Sequence, residues 1–232
     1  MSELVVRHTA ETFEEVYRGG YDKKYPSVDL VRLESWYFGD KPGSALDYGC
    51  GPGTNGLHLL DRGYKVVFAD VAREALNRVE EKLVIRPDAR SRATIRLIDP
   101  NATALPEADG TFDYIVGLSV LGNLGSADNV RHLLGEFCRV LKPAGKAILD
   151  INGEDTTYVH DASRKVGAQI YTTAPRKGFK SDEILMYFPE SSDAFVALVK
   201  SAGFAVDDVG YSGFRYQDHD GYEYIVCAHK PA

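Results

Sequence analysis

The chain has 232 residues, enough to bury one sizeable core, and its 44% hydrophobic and 26% charged content is that of an ordinary globular protein. A formal net charge of -7, from 27 Lys and Arg against 34 Asp and Glu, argues against nucleic-acid backbones or anionic membranes as partners. The three cysteines, Cys50, Cys138 and Cys227, are odd in number, far apart and without a C-x-x-C pair. They point to buried thiols in a reducing compartment and to no metal site. MSELVVRHTAETFEEV holds no apolar run of signal-peptide length, and no later segment approaches a membrane span, so a cytoplasmic protein is expected.

In chain order, residues 9–19 read as a short helix, with Thr12 and Glu15 in capping-box spacing and Phe13, Val16 and Tyr17 on one side. Gly19-Gly20 stops it, and Pro26-Ser27 opens a second helix carrying Leu30, Leu33 and Tyr37. SALDY (44–48) is a first strand, followed by a glycine-rich turn and a helix through Leu60. KVVFAD (65–70) is a second strand, and Ala72, Leu76, Val79 and Leu83 mark the next helix. ATIRLI (93–98) and FDYIVGL (112–118) are further strands. Val130, Leu133, Leu134, Phe137, Cys138 and Leu141 form the clearest helical stripe, before LKPAG turns into the strand KAILDI (146–151).

Strands alternating with helices at this interval predict right-handed crossovers and a mostly parallel α/β sheet covered on both faces. Residues 152–190 read as irregular and polar. A helix with Phe195, Leu198 and Val199 follows, and FAVDDVGY and YEYIVCAH then stand as two strands without a helix between them, hence an antiparallel hairpin. The expected organisation is one domain: a helical cap over 1–40, a ligand-binding core over 44–151, a variable segment over 152–190, and a final helix and hairpin over 191–232.

The chemistry concentrates in LDYGCGPGTNG (46–56). Gly51-x-Gly53-x-x-Gly56 has the spacing of a dinucleotide fingerprint, and a glycine turn that opens a helix offers N–H groups and the positive end of a helix dipole. Asp70 ends the next strand, where a carboxylate can accept hydrogen bonds from two ribose hydroxyls. A nucleoside ligand is predicted either way. The glycines leave NAD and other nucleosides open.

Asp47-Tyr-Gly49-Cys-Gly51-Pro-Gly53-Thr resembles the first motif of class I S-adenosylmethionine-dependent methyltransferases. VVFADVA, NATALPEADGTFDYIV and FCRVLKPAGKAIL are similar to later blocks of that family in the family's order, over residues 44–151, and closest to the small-molecule group that includes quinone-biosynthesis methyltransferases. The resemblance implies a Rossmann-like seven-stranded sheet, S-adenosylmethionine as cofactor and S-adenosylhomocysteine as product. It favours methyl transfer to a small molecule over an NAD-dependent oxidoreductase or a non-catalytic cofactor-binding protein.

By the resemblance, Gly49, Gly51 and Gly53 carry the amino-acid end of the cofactor, oriented by Asp47. Asp70 takes the ribose, Val71 flanks the adenine, and Asn101 with the Ala102 N–H meets the adenine edge. Gly117 and Leu118 offer a carbonyl to the cofactor's ammonium. His160 is the one candidate base, set against a plain surface histidine. Tyr17, Tyr21, Tyr25 and Asn123 are candidates for the acceptor pocket, set against simple packing. The acceptor and the oligomeric state do not follow from the sequence.

Overall fold

A computed structural model describes residues 3–153, 164–173, 182–216 and 219–232. Seven strands make the main sheet: β1 (Ser44–Tyr48), β2 (Lys65–Asp70), β3 (Ala93–Leu97), β4 (Phe112–Gly117), β5 (Leu141–Asn152), β9 (Ala205–Tyr216) and β10 (His219–His229). Their spatial order is β3-β2-β1-β4-β5-β10-β9. The first five run parallel, and β10 lies antiparallel to both β5 and β9.

Alternate residues of the central strands feed two cores. Ile115 of β4 and Leu149 of β5 face the side covered by α6 (Ala127–Val140) and α7 (Ser192–Ser201), with Phe137 and Phe195 at its centre. Val116 and Ile148 face the opposite side, where α3 (Thr54–Asp61) and α4 (Arg73–Val84) bring Leu59, Leu60 and Leu76 against Phe68. Burial on both faces is why these strands read as unbroken apolar runs. Ser126 and Ser191 cap α6 and α7, accepting from the Asn129 and Ala194 N–H groups at 3.2 and 3.1 Å.

The structure differs from the sequence reading in three places. Helix α1 spans Glu3–Arg18, so Thr12 lies inside it and its hydroxyl donates to the His8 carbonyl at 2.8 Å instead of forming a capping box. Strand β5 begins at Leu141: the pairing runs Phe112 with Leu141 and then Tyr114 with Lys146, so the intervening residues bulge, with Ala144 at φ 59°. The polar segment after β5 contains β6 (Arg164–Gly167), β7 (Ile170–Thr173) and β8 (Ile184–Tyr187), a small antiparallel sheet.

That small sheet backs α1. Tyr171, Ile184, Met186 and Phe188 form a separate cluster against Phe13. Helix α1 is also tied to the main body through α4, where Glu14 accepts from the Glu74 N–H at 3.0 Å and Arg78 donates to the Tyr17 carbonyl at 2.8 Å. No helix among the described residues is long and apolar enough to cross a membrane.

Candidate cofactor and acceptor cleft

Strand order reverses between β1 and β4, and ligands of open α/β sheets bind at such a switch point, beyond the carboxyl ends of the strands. Here β1 ends in the glycine turn. Gly49, Gly51 and Gly53 have φ of 65°, 52° and 80°, a left-handed backbone that side-chain-bearing residues resist. Space is tight as well: a Cβ on Gly49 would lie 2.7 Å from the Val120 Cβ, and one on Gly51 would lie 2.7 Å from the Tyr17 hydroxyl. On Gly56 it would strike the Phe68 ring. Gly56 therefore serves helix-to-sheet packing, while Gly49 and Gly51 bare their backbone to the cleft.

Two buried carboxylates organise this turn. Asp47 reaches into the start of α3 and accepts from the Gly56 N–H at 2.7 Å, placing a negative group at the positive end of that helix. Burial raises its carboxyl to about 7 against the pull of the Gly56 N–H, with the Asp70 charge adding to the rise. Asp70, from the tip of β2, accepts from the Gly51 N–H at 2.8 Å through Oδ2 and from the Ala72 N–H at 2.9 Å through Oδ1. Burial lifts it to about 6, moderated by these N–H groups and that of Val71. Each of its oxygens keeps a second lone pair for a ligand hydroxyl.

This arrangement bears on the ligand. A dinucleotide pyrophosphate needs the helix start and the turn N–H groups for itself. In this chain Asp47 takes the Gly56 N–H in the first turn of α3, Asp70 takes the Gly51 N–H, and the Cys50 and Gly53 N–H groups donate to the Ala69 and Cys50 carbonyls. The local charge is negative, which suits a cationic nucleoside and repels a pyrophosphate.

The cleft holds about 1310 Å³ of space, counting the part open to solvent. Of the residues singled out in the sequence, Gly49, Gly51, Asp70, Val71, Ala102, Leu118, Tyr17, Tyr21 and Asn123 line it. Gly117 is packed against Phe137 and Leu149, and Gly53 against Val79 and Phe68. Asn101 donates to Asp99 Oδ1 at 3.1 Å, its own Oδ1 is buried without a partner, and the Ala102 N–H donates to the Asp99 carbonyl. Tyr25 is 80% exposed, away from the cleft. His160 lies outside the described residues.

The structure adds wall residues that the sequence did not single out, among them Thr9, Phe13, Tyr48, Ser119, Val120 and His132. Thr9 and Phe13 precede Tyr17 on α1 by steps of four, so the periodicity of that helix carried their signal. Ser119 and Val120 follow β4 directly, where the strand-end rule applies as much as at β2.

Residues 45–145, the stretch that builds this turn and the strands around it, match the family model of a methyltransferase domain. Over that stretch the chain carries a methyltransferase domain of the class I type. It is 30% identical over 158 residues to a demethylmenaquinone methyltransferase of Shouchella clausii, a match that spans 64% of each chain. A SAM-dependent methyltransferase of Methanosarcina mazei superposes with a TM-score of 0.63 at 21% identity, over 81% of this chain and 92% of that one. The [4+2]-cyclase SpnF superposes over 99% and 96% at 0.67 with 16% identity. Those structures share the fold, and a fold of this breadth does not by itself fix a reaction.

The cofactor of this methyltransferase class is S-adenosylmethionine, and the cleft fits it. Bare backbone at Gly49 and Gly51 admits close contact, Asp70 has capacity for hydroxyls, and Val71, Ile98, Leu105 and Leu133 give an apolar lining suited to a base.

Proposed function

We propose that this protein transfers a methyl group from S-adenosylmethionine to a small, ring-bearing acceptor. The observation that carries the reading is the glycine turn whose Gly56 and Gly51 N–H groups are taken by Asp47 and Asp70, in a stretch that matches the methyltransferase domain. When bound, the cofactor supplies an activated methyl carbon on a sulfonium centre, open to in-line displacement.

The chain's own residues bind, orient and dry the reactants. Asp70 holds the ribose hydroxyls, Gly49 and Gly51 admit the amino-acid tail, and Val71 with the Asp99–Ala102 turn flanks the base. Thr9, Phe13 and Tyr17, from successive turns of α1, and Tyr21, from the segment after it, form the opposite wall. Phe13 stacks with Tyr17 at 6.3 Å between ring centroids, and Tyr17 meets Tyr21 at 5.9 Å. Such a wall suits a planar apolar acceptor, and the quinone methyltransferase relative named above is in keeping with that class.

Two titratable groups in the cleft are engaged elsewhere. His132 Nε2 is bonded to the Thr103 carbonyl at 2.7 Å. Glu136 is paired with Arg139 at 2.7 Å and accepts from the Leu105 N–H, and both interactions hold its carboxyl below the usual range. Positioning of the reactants is therefore the chain's main contribution, worth several kcal/mol where the geometry is near in-line. We take residues 1–232 as one functional unit in which α1 and its backing sheet face the acceptor.

Calorimetry with S-adenosylmethionine, S-adenosylhomocysteine and NAD tests the cofactor, and tight NAD binding without the other two overturns the reading. Radiolabelled methyl transfer from S-adenosylmethionine into a small-molecule extract tests the reaction. Binding without any labelled product would leave a nucleoside-binding protein that does not methylate.

A further inference from the structure

Ser119 is the only cleft-lining residue other than glycine that the structure holds at positive φ, among the described residues, at 58°. A serine there is unfavourable, and such strain persists only where the surroundings impose it. The constraint is visible. The Ser119 N–H donates to Oδ1 of Asp150 at 2.6 Å, and Asp150 is a β5 residue only 3% exposed. From the other side, the Asn123 side chain donates to the Ser119 carbonyl at 3.1 Å.

The consequence falls on the cleft. Leu118, before the strained residue, and Val120, after it, are both cleft walls. Val120 lies against Gly49, where its Cγ2 stands 2.5 Å from the place a glycine-to-alanine Cβ would occupy. Relaxing Ser119 to an ordinary φ would swing Val120 and the turn after β4 relative to the glycine ladder. Asp150 touches neither the ladder nor the cleft surface, so it acts through Ser119.

We propose that Asp150 is a positioning residue for the cofactor: its buried carboxyl locks Ser119 in the left-handed conformation and thereby sets the β4 tip against the Gly49 backbone. This rests on the cleft being the S-adenosylmethionine site. Asp150 needs no charge for the task, because a neutral carboxyl or an amide oxygen also accepts from the Ser119 N–H. Its burial beside the Glu223 carboxylate pushes its carboxyl well above the usual range, in keeping with a neutral acceptor.

The test is calorimetric binding of S-adenosylhomocysteine to the intact chain. Asp150→Ala is expected to weaken binding at least tenfold, while Asp150→Asn stays within threefold of wild type. Ser119→Gly adopts positive φ freely, and combined with Asp150→Ala it is expected to recover most of the affinity that Asp150→Ala alone loses. Ser119→Val leaves Asp150 and the core untouched and opposes positive φ, so it is expected to weaken binding even if Asp150→Ala fails to fold. A core role alone predicts no recovery in the double variant and full affinity in Ser119→Val, and either result overturns the proposal. Absence of binding by the wild type would instead strike the cofactor reading itself.

Discussion

The Asp70 carboxylate stands 2.8 Å from the Gly51 N–H and 2.9 Å from the Ala72 N–H, so one side chain fastens the glycine turn to the entrance of α4. The residue proposed to hold the ribose is therefore also a brace for the loop. Asp70→Ala is expected to weaken S-adenosylmethionine binding by about 2–4 kcal/mol and to lower folding stability by about 1–3 kcal/mol, because two sheltered donors lose their acceptor. Calorimetry and urea unfolding read the two effects separately. Unchanged affinity in a destabilised variant would show a brace with no part in the ligand.

Gly56→Ala separates packing from binding. An alanine inside a helix ordinarily gains about 0.5–1 kcal/mol over glycine. Here the added methyl meets the wholly buried Phe68 ring and comes within 2.9 Å of Asp47 Oδ2. The overpacking cost of about 1–3 kcal/mol outweighs the helix gain. Urea unfolding should show a net loss, and a more stable variant would mean that Phe68 moves aside freely.

Lys82 joins three pieces that are far apart in sequence. Its ammonium donates to Asp22 Oδ1 at 2.5 Å, to the Pro52 carbonyl at 2.9 Å and to the Lys23 carbonyl at 3.3 Å. It thus pins the chain after α1 to the glycine turn. Lys82→Met should release S-adenosylhomocysteine about 5–10-fold faster, matching the loss of about 1–1.5 kcal/mol from such bonds. Stopped-flow displacement measures this, and an unaltered rate would separate the clamp from retention of the ligand.

Asp47 makes a prediction about pH. Its carboxyl is raised from 3.8 to about 7 in the folded chain, so between those values the folded state holds a proton that the unfolded state has lost. Stability attributable to this group falls as pH rises across that window and stays low above it. Asp47→Asn lacks the penalty. Its stability relative to wild type should improve by on the order of 2–4 kcal/mol between pH 4 and pH 8, at about 1.4 kcal/mol per unit. A flat or opposite trend in urea unfolding across pH would show that Asp47 ionises there without cost.

Much of the main sheet was legible because its signals are local. SALDY and KVVFAD coincide with β1 and β2 residue for residue. SALDY is flanked by Gly43 and Gly49, KVVFAD follows the break at Asp61-Arg-Gly63, and both faces of the sheet are covered, so periodicity was not needed. The hairpin was legible from the absence of a helix between two strands. The small sheet was not: β6 is fully exposed and β7 and β8 have four residues each, too short for an alternation to stand out. The real start of α1 was hidden because Thr12 and Glu15 imitate a helix start.

The site divides in the same way. The glycine ladder and Asp70 were visible as a motif, since strand, turn and acidic strand end follow one another within 22 residues from Gly49 to Asp70. Where the Asp47 side chain points, how Lys82 reaches Pro52, and how Asp150 holds Ser119 all depend on strands brought side by side. Asp150 and Ser119 are 31 positions apart, and no local pattern links them.

Strand β10 lies between β5 and β9, although it follows both along the chain. During synthesis, at about 5–20 residues per second, the flank of β5 therefore stays bare until the residues that fill it have emerged. Ile225, Val226 and Cys227 pair with Asp150, Leu149 and Ile148, so a strand made after both β5 and β9 covers the one that carries Asp150. A nascent chain stalled before this point would expose an aggregation-prone ridge along β5, and the arrival of β10 is what covers it.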